Sequence, residues 1–306
     1  MNDGSQSHKP IHSAVILSRV YRRPVSGAIR KIAGLLGSLG VEACLDQNTA
    51  VGFNIHEIRA VSRSEMRTKD LFIVVGGDGS LLGAARTLVD LRVPMLGVNA
   101  GHLGLLTDLS PEGLNDSLKE VVAGRYSVEQ RTMLDLQVFR EDEDGAGELV
   151  AQSLATNETV IHSGMMAHMM TFKVFIDGRY MYALRGDGII VNTPTGSTAY
   201  SLSAGGSIIE PHLDVLALVP MFPQSLNCSP IIIPGKSAVR IDFEGPQGEV
   251  PELVAINCDG QVTMRADTKC TVSIRQHRVM LKLIHPEGYD YYSLLRQKLG
   301  WGQSLV

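Results

Sequence analysis

The 306-residue sequence is short of the features that mark several common protein classes. Its four cysteines, Cys44, Cys228, Cys258 and Cys270, have no C-x-x-C spacing, so neither a zinc site nor a disulfide framework is indicated. The expectation is reduced thiols packed in a core. Apolar runs such as LFIVV (71–75) and IIIP (231–234) fall far short of the roughly 20 residues a bilayer span needs, so no membrane partner is expected. The opening MNDGSQSHKP lacks the charged start, apolar middle and small-residue cleavage site of a secretory signal. It reads as a disordered lead-in over 1–10 and implies cytoplasmic residence. A formal net charge of −4, with acids and bases interspersed and no basic block, leaves no electrostatic footprint for nucleic acid.

Familiar catalytic signatures are also absent. No G-x-x-x-x-G-K-[ST] occurs, so the chain has no P-loop, and no G-x-S-x-G nucleophile elbow exists. The nine histidines are scattered, with no pair at metal-ligand helical spacing. His102, in NAGHLGLL after an apolar run, is the one histidine whose position suggests proximity to a site.

The chain that remains changes texture part-way. Its length suits two domains. Up to about residue 125, apolar β-rich runs (AVILS, VEACLD, LFIVV, PMLGVN) alternate with helical periodicity over 25–38, 80–91 and 111–123, which predicts an α/β domain over 11–125 with a mostly parallel sheet. From Tyr126 to His285 strand follows strand, and the pattern reads as antiparallel β over 126–285. Asp177-Gly178 is a two-residue hairpin signal, since a type I′ turn needs positive φ at both positions. EDEDGAGE (141–148) reads as an exposed acidic hairpin loop. Tyr289, Tyr292, Leu295 and Leu299, stopped by Gly300, predict a helical tail within 286–306 that packs on the first domain.

VVGGDGSLLGAAR (74–86) sets Gly76, Gly77 and Gly79 between an apolar strand and a helix. Unobstructed amides at the positive end of a helix dipole suit a phosphate. Gly77, Gly79 and Gly83 give only a relaxed relative of the dinucleotide fingerprint, and PMLGVN ends in Asn99 where a Rossmann oxidoreductase would place an acid for ribose. Asp78 is the discriminating residue. A carboxylate beside bound phosphate is useful for holding Mg²⁺ or for taking a proton from an attacking hydroxyl, and both belong to phosphoryl transfer. The alternative is a tight strand-to-helix turn in which Asp78 caps its own helix.

DGIIVNTPTGSTAYSLSAGG (187–206) is rich in hydroxyls, among them Thr193, Thr195, Ser197, Thr198, Ser201 and Ser203, and Gly196 allows close backbone approach to a ligand. It also reads as a helix start capped by Thr195 or Ser197. Together with GGDGS (76–80), NE (157–158), DG (259–260) and LLRQKLGW (294–301), in that order and spacing, it makes the chain resemble the NAD kinases, specifically the bacterial type. The resemblance runs from about residue 12 almost to the end. Two departures stand out: MFPQSLNCSP (221–230), and Gly186 where many relatives have serine.

The resemblance implies an enzyme that phosphorylates the 2′-hydroxyl of the adenosine ribose of NAD with ATP and a divalent cation, Mg²⁺ being the natural choice, to give NADP. It implies a Rossmann-like α/β N-terminal domain, a sandwich-like antiparallel β domain, and a homodimer or homotetramer. By position, Asp78 would be catalytic, with Gly76, Gly77, Gly79 and Ser80 on the ATP phosphates. Asn157 and Glu158 would recognise the adenine and ribose side of NAD, and Asp187 the nicotinamide end. Thr198, Ala199 and Tyr200 would close over the dinucleotide, Ser203 would also bind NAD, and Asp259 would lie near the same site. Residue patterns alone give blander alternatives: a buried strand residue before an exposed glutamate at 157–158, an interface aromatic at Tyr200, and a hairpin turn at 259–260. At the level of function the alternatives are a related kinase with another acceptor, such as a lipid, and a non-catalytic NAD or NADP sensor. No metal ligands are legible.

Overall fold

The computed structural model describes residues 8–19, 23–101, 104–107, 109, 113–141, 147–164, 169–225, 227–244 and 253–301. His102 and the tip of the acidic 141–148 loop lie outside these residues. Contacts divide the chain into two units, 1–130 with 281–306, and 131–280.

The first unit is built on a seven-stranded sheet. Its order is Ala60–Val61, Glu42–Asp46, Ser13–Leu17, Leu71–Val75, Met95–Val98, Leu281–Pro286, Tyr126–Arg131. Every strand pair from Ala60–Val61 through Leu281–Pro286 is parallel. Leu71–Val75 is buried at all five positions, as a central strand covered on both faces must be. Helix Arg23–Ser38 packs Ile29, Ile32 and Leu36 against Ile16, Ile73 and Leu96. Two strands that the sequence pattern groups with the β-rich half, Tyr126–Arg131 and Leu281–Pro286, belong to this sheet instead, and Leu283 stands opposite Met95. A strand-like pattern does not say which sheet a strand joins.

The second unit has two six-stranded sheets. One runs Arg179–Gly186, Met170–Ile176, Val239–Glu244, Cys270–Gln276, Leu134–Glu141, Gly147–Ala155, and the other Ile231–Pro234, Val215–Met221, Gly188–Asn192, Glu158–Ser163, Leu253–Cys258, Val262–Asp267. Neighbours within both are antiparallel. One core joins them: Leu136, Phe172, Ile241 and Val272 from the first sheet with Ile161, Ile189, Leu218 and Ile256 from the second. Asp177 (φ 51°) and Gly178 (φ 76°) make the expected primed hairpin turn, and Asp177 also takes the Ala238 amide and the Ser237 hydroxyl. The tail helix forms over Tyr291–Leu299, capped by the Asp290 carboxylate and ended by Gly300 at φ 66°. Cys44, Cys258 and Cys270 are buried, Cys228 is half-buried, and all four are free thiols.

Candidate active site

In the first unit the glycine turn forms as its composition requires. Gly76 donates its amide to Val98 O at 2.9 Å and adopts φ 150°. A side chain there would collide with that of Ser80. Gly77 precedes the helix Asp78–Leu88 without any side-chain cap, and the space beside its Cα is open. Gly77 and Gly79 are exposed, whereas Gly76 and Ser80 are buried, so the Ser80 hydroxyl lies under the turn rather than at its mouth.

Asp78 does not cap its own helix. Its carboxylate reaches a segment 27 to 29 residues downstream: Oδ2 accepts from the Leu105 amide (2.8 Å), and Oδ1 from the amides of Leu106 and Thr107 (both 3.1 Å) and from the Thr107 hydroxyl (2.9 Å). Asn99 continues the chain, donating to Thr107 Oγ1 at 3.3 Å and accepting from the Gly101 amide at 2.6 Å. Gly104 has no side chain because a Cβ there would overlap the Asp78 carboxylate. The result is a half-buried acid held at one orientation at a helix N-terminus, beside two exposed glycines.

The second unit holds a cavity of about 930 Å³, lined by Glu158, Val160 and His162 from one strand with Ser163, Gly164, Asp187, Tyr200, Met221, Phe222, Asn257 and Gly260. It lies on the face of its sheet opposite the shared core, since Ile161 and Ile189 point inward and their neighbours outward. Val160, Ile190, Val219 and Met221 give that face an apolar floor.

Around this cavity the NE and DG motifs meet. Asp259 (φ 53°) and Gly260 (φ 63°) form the hairpin turn their composition predicts, and the Asp259 carboxylate is used as well. It takes the amides of Thr156 (3.0 Å), Asn157 (2.8 Å) and Glu158 (3.4 Å), fixing the turn that presents the NE pair. Glu158 is not an exposed strand residue: it is 5% accessible, and its Oε2 has no hydrogen-bond partner. Burial first, and the Asp259 charge second, push its carboxyl up to about 7, against a hydrogen bond from the Tyr200 backbone. Asn157 is half-buried, with its Oδ1 also unpartnered.

The hydroxyl-rich block forms a 3₁₀ turn over Thr195–Thr198 and a short helix over Tyr200–Ser203, and neither has a side-chain cap. Ser197 instead bridges to Ile209, accepting its amide at 2.9 Å. Thr193 donates to Thr156 O at 2.5 Å and accepts the Gly196 amide at 3.2 Å. Gly196 is needed for contact within the protein rather than with a ligand, because a Cβ there would overlap the Asn157 carbonyl. Of the sequence-predicted residues, Glu158, Asp187 and Tyr200 line the cavity, while Asn157 and Asp259 build its turn. Thr198, Ala199 and the exposed Ser203 stand on the same segment outside that lining. His162, Asn257 and Phe222 were not anticipated. For His162 the signal was available: it shares the strand face of Glu158 at a period of two.

Family models for the ATP-NAD kinase N-terminal domain and the ATP-NAD kinase C-terminal domain match residues 16–126 and 156–285. The chain belongs to the ATP-NAD kinase family. The NAD kinase of Shewanella oneidensis is 40% identical over 295 residues, spanning 96% of this chain and 98% of that one. That of Shewanella frigidimarina is 47% identical over 236 residues, 77% of this chain and 74% of its own. Among solved structures, an NAD kinase from Archaeoglobus fulgidus in complex with ATP matches with TM-score 0.69 at 25% identity, over 94% of this chain and 97% of that chain. Yeast NADH kinase complexed with NADH matches with TM-score 0.83 over 97% and 89%; at 23% identity it speaks for the fold.

For a divalent cation, the described residues of this family member include no group of three or more His, Cys, Asp or Glu side chains able to hold a metal by themselves. The donor set present is Asp78 Oδ2, which receives one amide, and that fits an ion carried on substrate phosphates: Mg²⁺ keeps several waters and shares phosphate oxygens with one or two carboxylates.

Proposed function

We propose that this chain, an NAD kinase, transfers the γ-phosphoryl of ATP to the 2′-hydroxyl of the adenosine ribose of NAD, with Asp78 as the catalytic group that orients the hydroxyl. The observation that carries the role is the fixed carboxylate: four donors hold it in place, and Oδ2 keeps a lone-pair direction unused by the 105–107 segment. Phosphoryl transfer passes through a loose transition state that asks mainly for alignment and charge neutralisation, so an oriented carboxylate matters more than a strong base. The proton leaves the hydroxyl late, to Asp78. The exposed glycines Gly77 and Gly79 and the positive end of the following helix receive donor phosphates, with Gly76 and Ser80 supporting the turn from below. A Mg²⁺ ion, when bound, supplies charge neutralisation at those phosphates.

The cavity takes the dinucleotide. Asn157 and Glu158 meet the adenine and ribose side, Asp187 meets the nicotinamide end, and Tyr200 covers the ligand from a segment that includes Thr198, Ala199 and Ser203. The reading also takes the protein as a cytoplasmic homodimer or homotetramer, which light scattering on the eluted peak tests.

The decisive experiment is a coupled assay of the purified protein with NAD, ATP and Mg²⁺, beside Asp78→Asn. The expected result is NADP from the wild type, and turnover lowered at least about 100-fold in the variant with NAD affinity largely kept. Near-normal turnover in Asp78→Asn removes the assigned role. NAD binding without any NADP from the wild type points to a sensor.

A further inference from the structure

We propose that His162 is a specificity-determining residue: as an uncharged ring beside Asp187, it lets this end of the cavity accept the cationic nicotinamide of NAD. The inference rests on the reading of the cavity as the dinucleotide site.

The cavity has two polar ends. Glu158, Val160 and His162 line it from one strand, and at about 3.3 Å per residue Glu158 and His162 stand about 13 Å apart. Between them runs the apolar floor of Val160, Ile190, Val219 and Met221. At the far end Asp187 and His162 are neighbours. The Ser163 amide donates to Asp187 O at 3.2 Å, and Gly188 pairs with His162 so closely that a Cβ on the glycine would stand 2.9 Å from the histidine Cβ.

The hydrogen bonds around the ring select its neutral form. His162 Nδ1 lies 2.6 Å from Ser163 O, and a carbonyl only accepts, so Nδ1 carries the proton. Nε2 lies 2.8 Å from Asn257 Nδ2, which only donates, so Nε2 is bare. Asn257 Oδ1 in turn accepts from the Thr263 hydroxyl at 2.6 Å. All three of these hydrogen bonds pair a donor with an acceptor while the imidazole is uncharged. An imidazolium requires the Asn257 amide and the Thr263 hydroxyl both to turn over. Among the described residues, the other charged or titratable groups on this face are Glu158, with Asp259 beside it, and Tyr200 along the cavity, and the exposed Arg265, two strands away in the row His162–Ala255–Arg265.

A cationic ring placed here meets the Asp187 carboxylate, and among the described residues no Lys or Arg lines the cavity. A positive residue 162 repels that ring and competes for Asp187. The reduced nicotinamide is neutral and indifferent to either change.

The test measures dissociation constants for NAD, NADH and ADP-ribose with the full-length protein and with His162→Gln, His162→Lys and His162→Glu at pH 8. We expect Gln to leave the NAD-to-NADH ratio of constants within about twofold. Lys raises that ratio about tenfold, the size of a unit-charge effect at a half-solvated site, and Glu lowers it. ADP-ribose, which lacks the ring, is not weakened by Lys. A ratio unmoved by both charged variants, or an equal loss for all three ligands, overturns the inference while leaving the dinucleotide reading intact. Absence of NAD binding to the wild type overturns the reading itself, and the inference with it.

Discussion

Asp78 and Asp259 illustrate how one carboxylate can organise a distant backbone. Each sits at a glycine-flanked turn, and each accepts three amides from one short segment, 105–107 for Asp78 and 156–158 for Asp259. Both acids stand in DG pairs plainly visible in the chain, yet neither set of amides is close in sequence, so the composition of the turn gave no hint of the partner. Glu158 is the residue most altered by its surroundings. Its carboxyl is raised from 4.5 to about 7, so the folded state favours the protonated form. The sign follows: below about 4.5 the group carries no penalty, and as pH rises through 7 the folded protein loses up to about 3 kcal/mol relative to an unperturbed glutamate. Glu158→Gln is therefore expected to raise the melting temperature at pH 8 by several degrees, with the gain closing toward pH 5; scanning calorimetry at the two pH values checks it.

At the level of elements, alternation along strands did most of the placing. The strand Glu158–Ser163 sends Ile161 to the shared core and Glu158, Val160 and His162 to the cavity, so a single two-residue period separates stability from binding. What the period leaves open is how exposed the outward face will be. The isolated sequence suggested an exposed glutamate at 158, and the tertiary fold buries it under Tyr200 and beside Asp259. The turn at 156–158 depends on that same acid. Asp259→Ala removes the charged acceptor of three amides, at an expected cost of about 2–3 kcal/mol in urea unfolding. The same change takes away one of the two influences that raise the Glu158 carboxyl, so its titration moves toward the ordinary carboxylate range; following the Glu158 side-chain carbon by NMR against pH reads that shift directly. Helix ends followed simpler rules: Gly300 stops the tail helix in the left-handed region, as its position foretold, and the Asp290 carboxylate caps the other end.

For the whole molecule, the first sheet is completed by a strand that arrives last. Leu281–Pro286 lies between Met95–Val98 and Tyr126–Arg131 in the sheet order, so residues 99–280 intervene between Val98 and its partner strand. A chain ended after Met280 leaves Met95–Val98 with a bare edge and is expected to elute as aggregate where the full chain gives a single discrete peak; size-exclusion chromatography at matched concentration tests this. The amino-acid sequence by itself determined the local forms: a buried strand in LFIVV, the glycine turn after it, the primed turns at 177–178 and 259–260, the switch from mixed to antiparallel texture, and a block specific enough to indicate the family. These depend on propensities and periods that act over a few residues. Only the tertiary structure decided which sheet the last strand joins, that Asp78 reaches 105–107 rather than its own helix, that Gly196 yields to Asn157, and that His162 and Asp187 share one end of a cavity. Those facts depend on which faces cover one another across long stretches of chain, and a period identifies a face without naming what packs upon it.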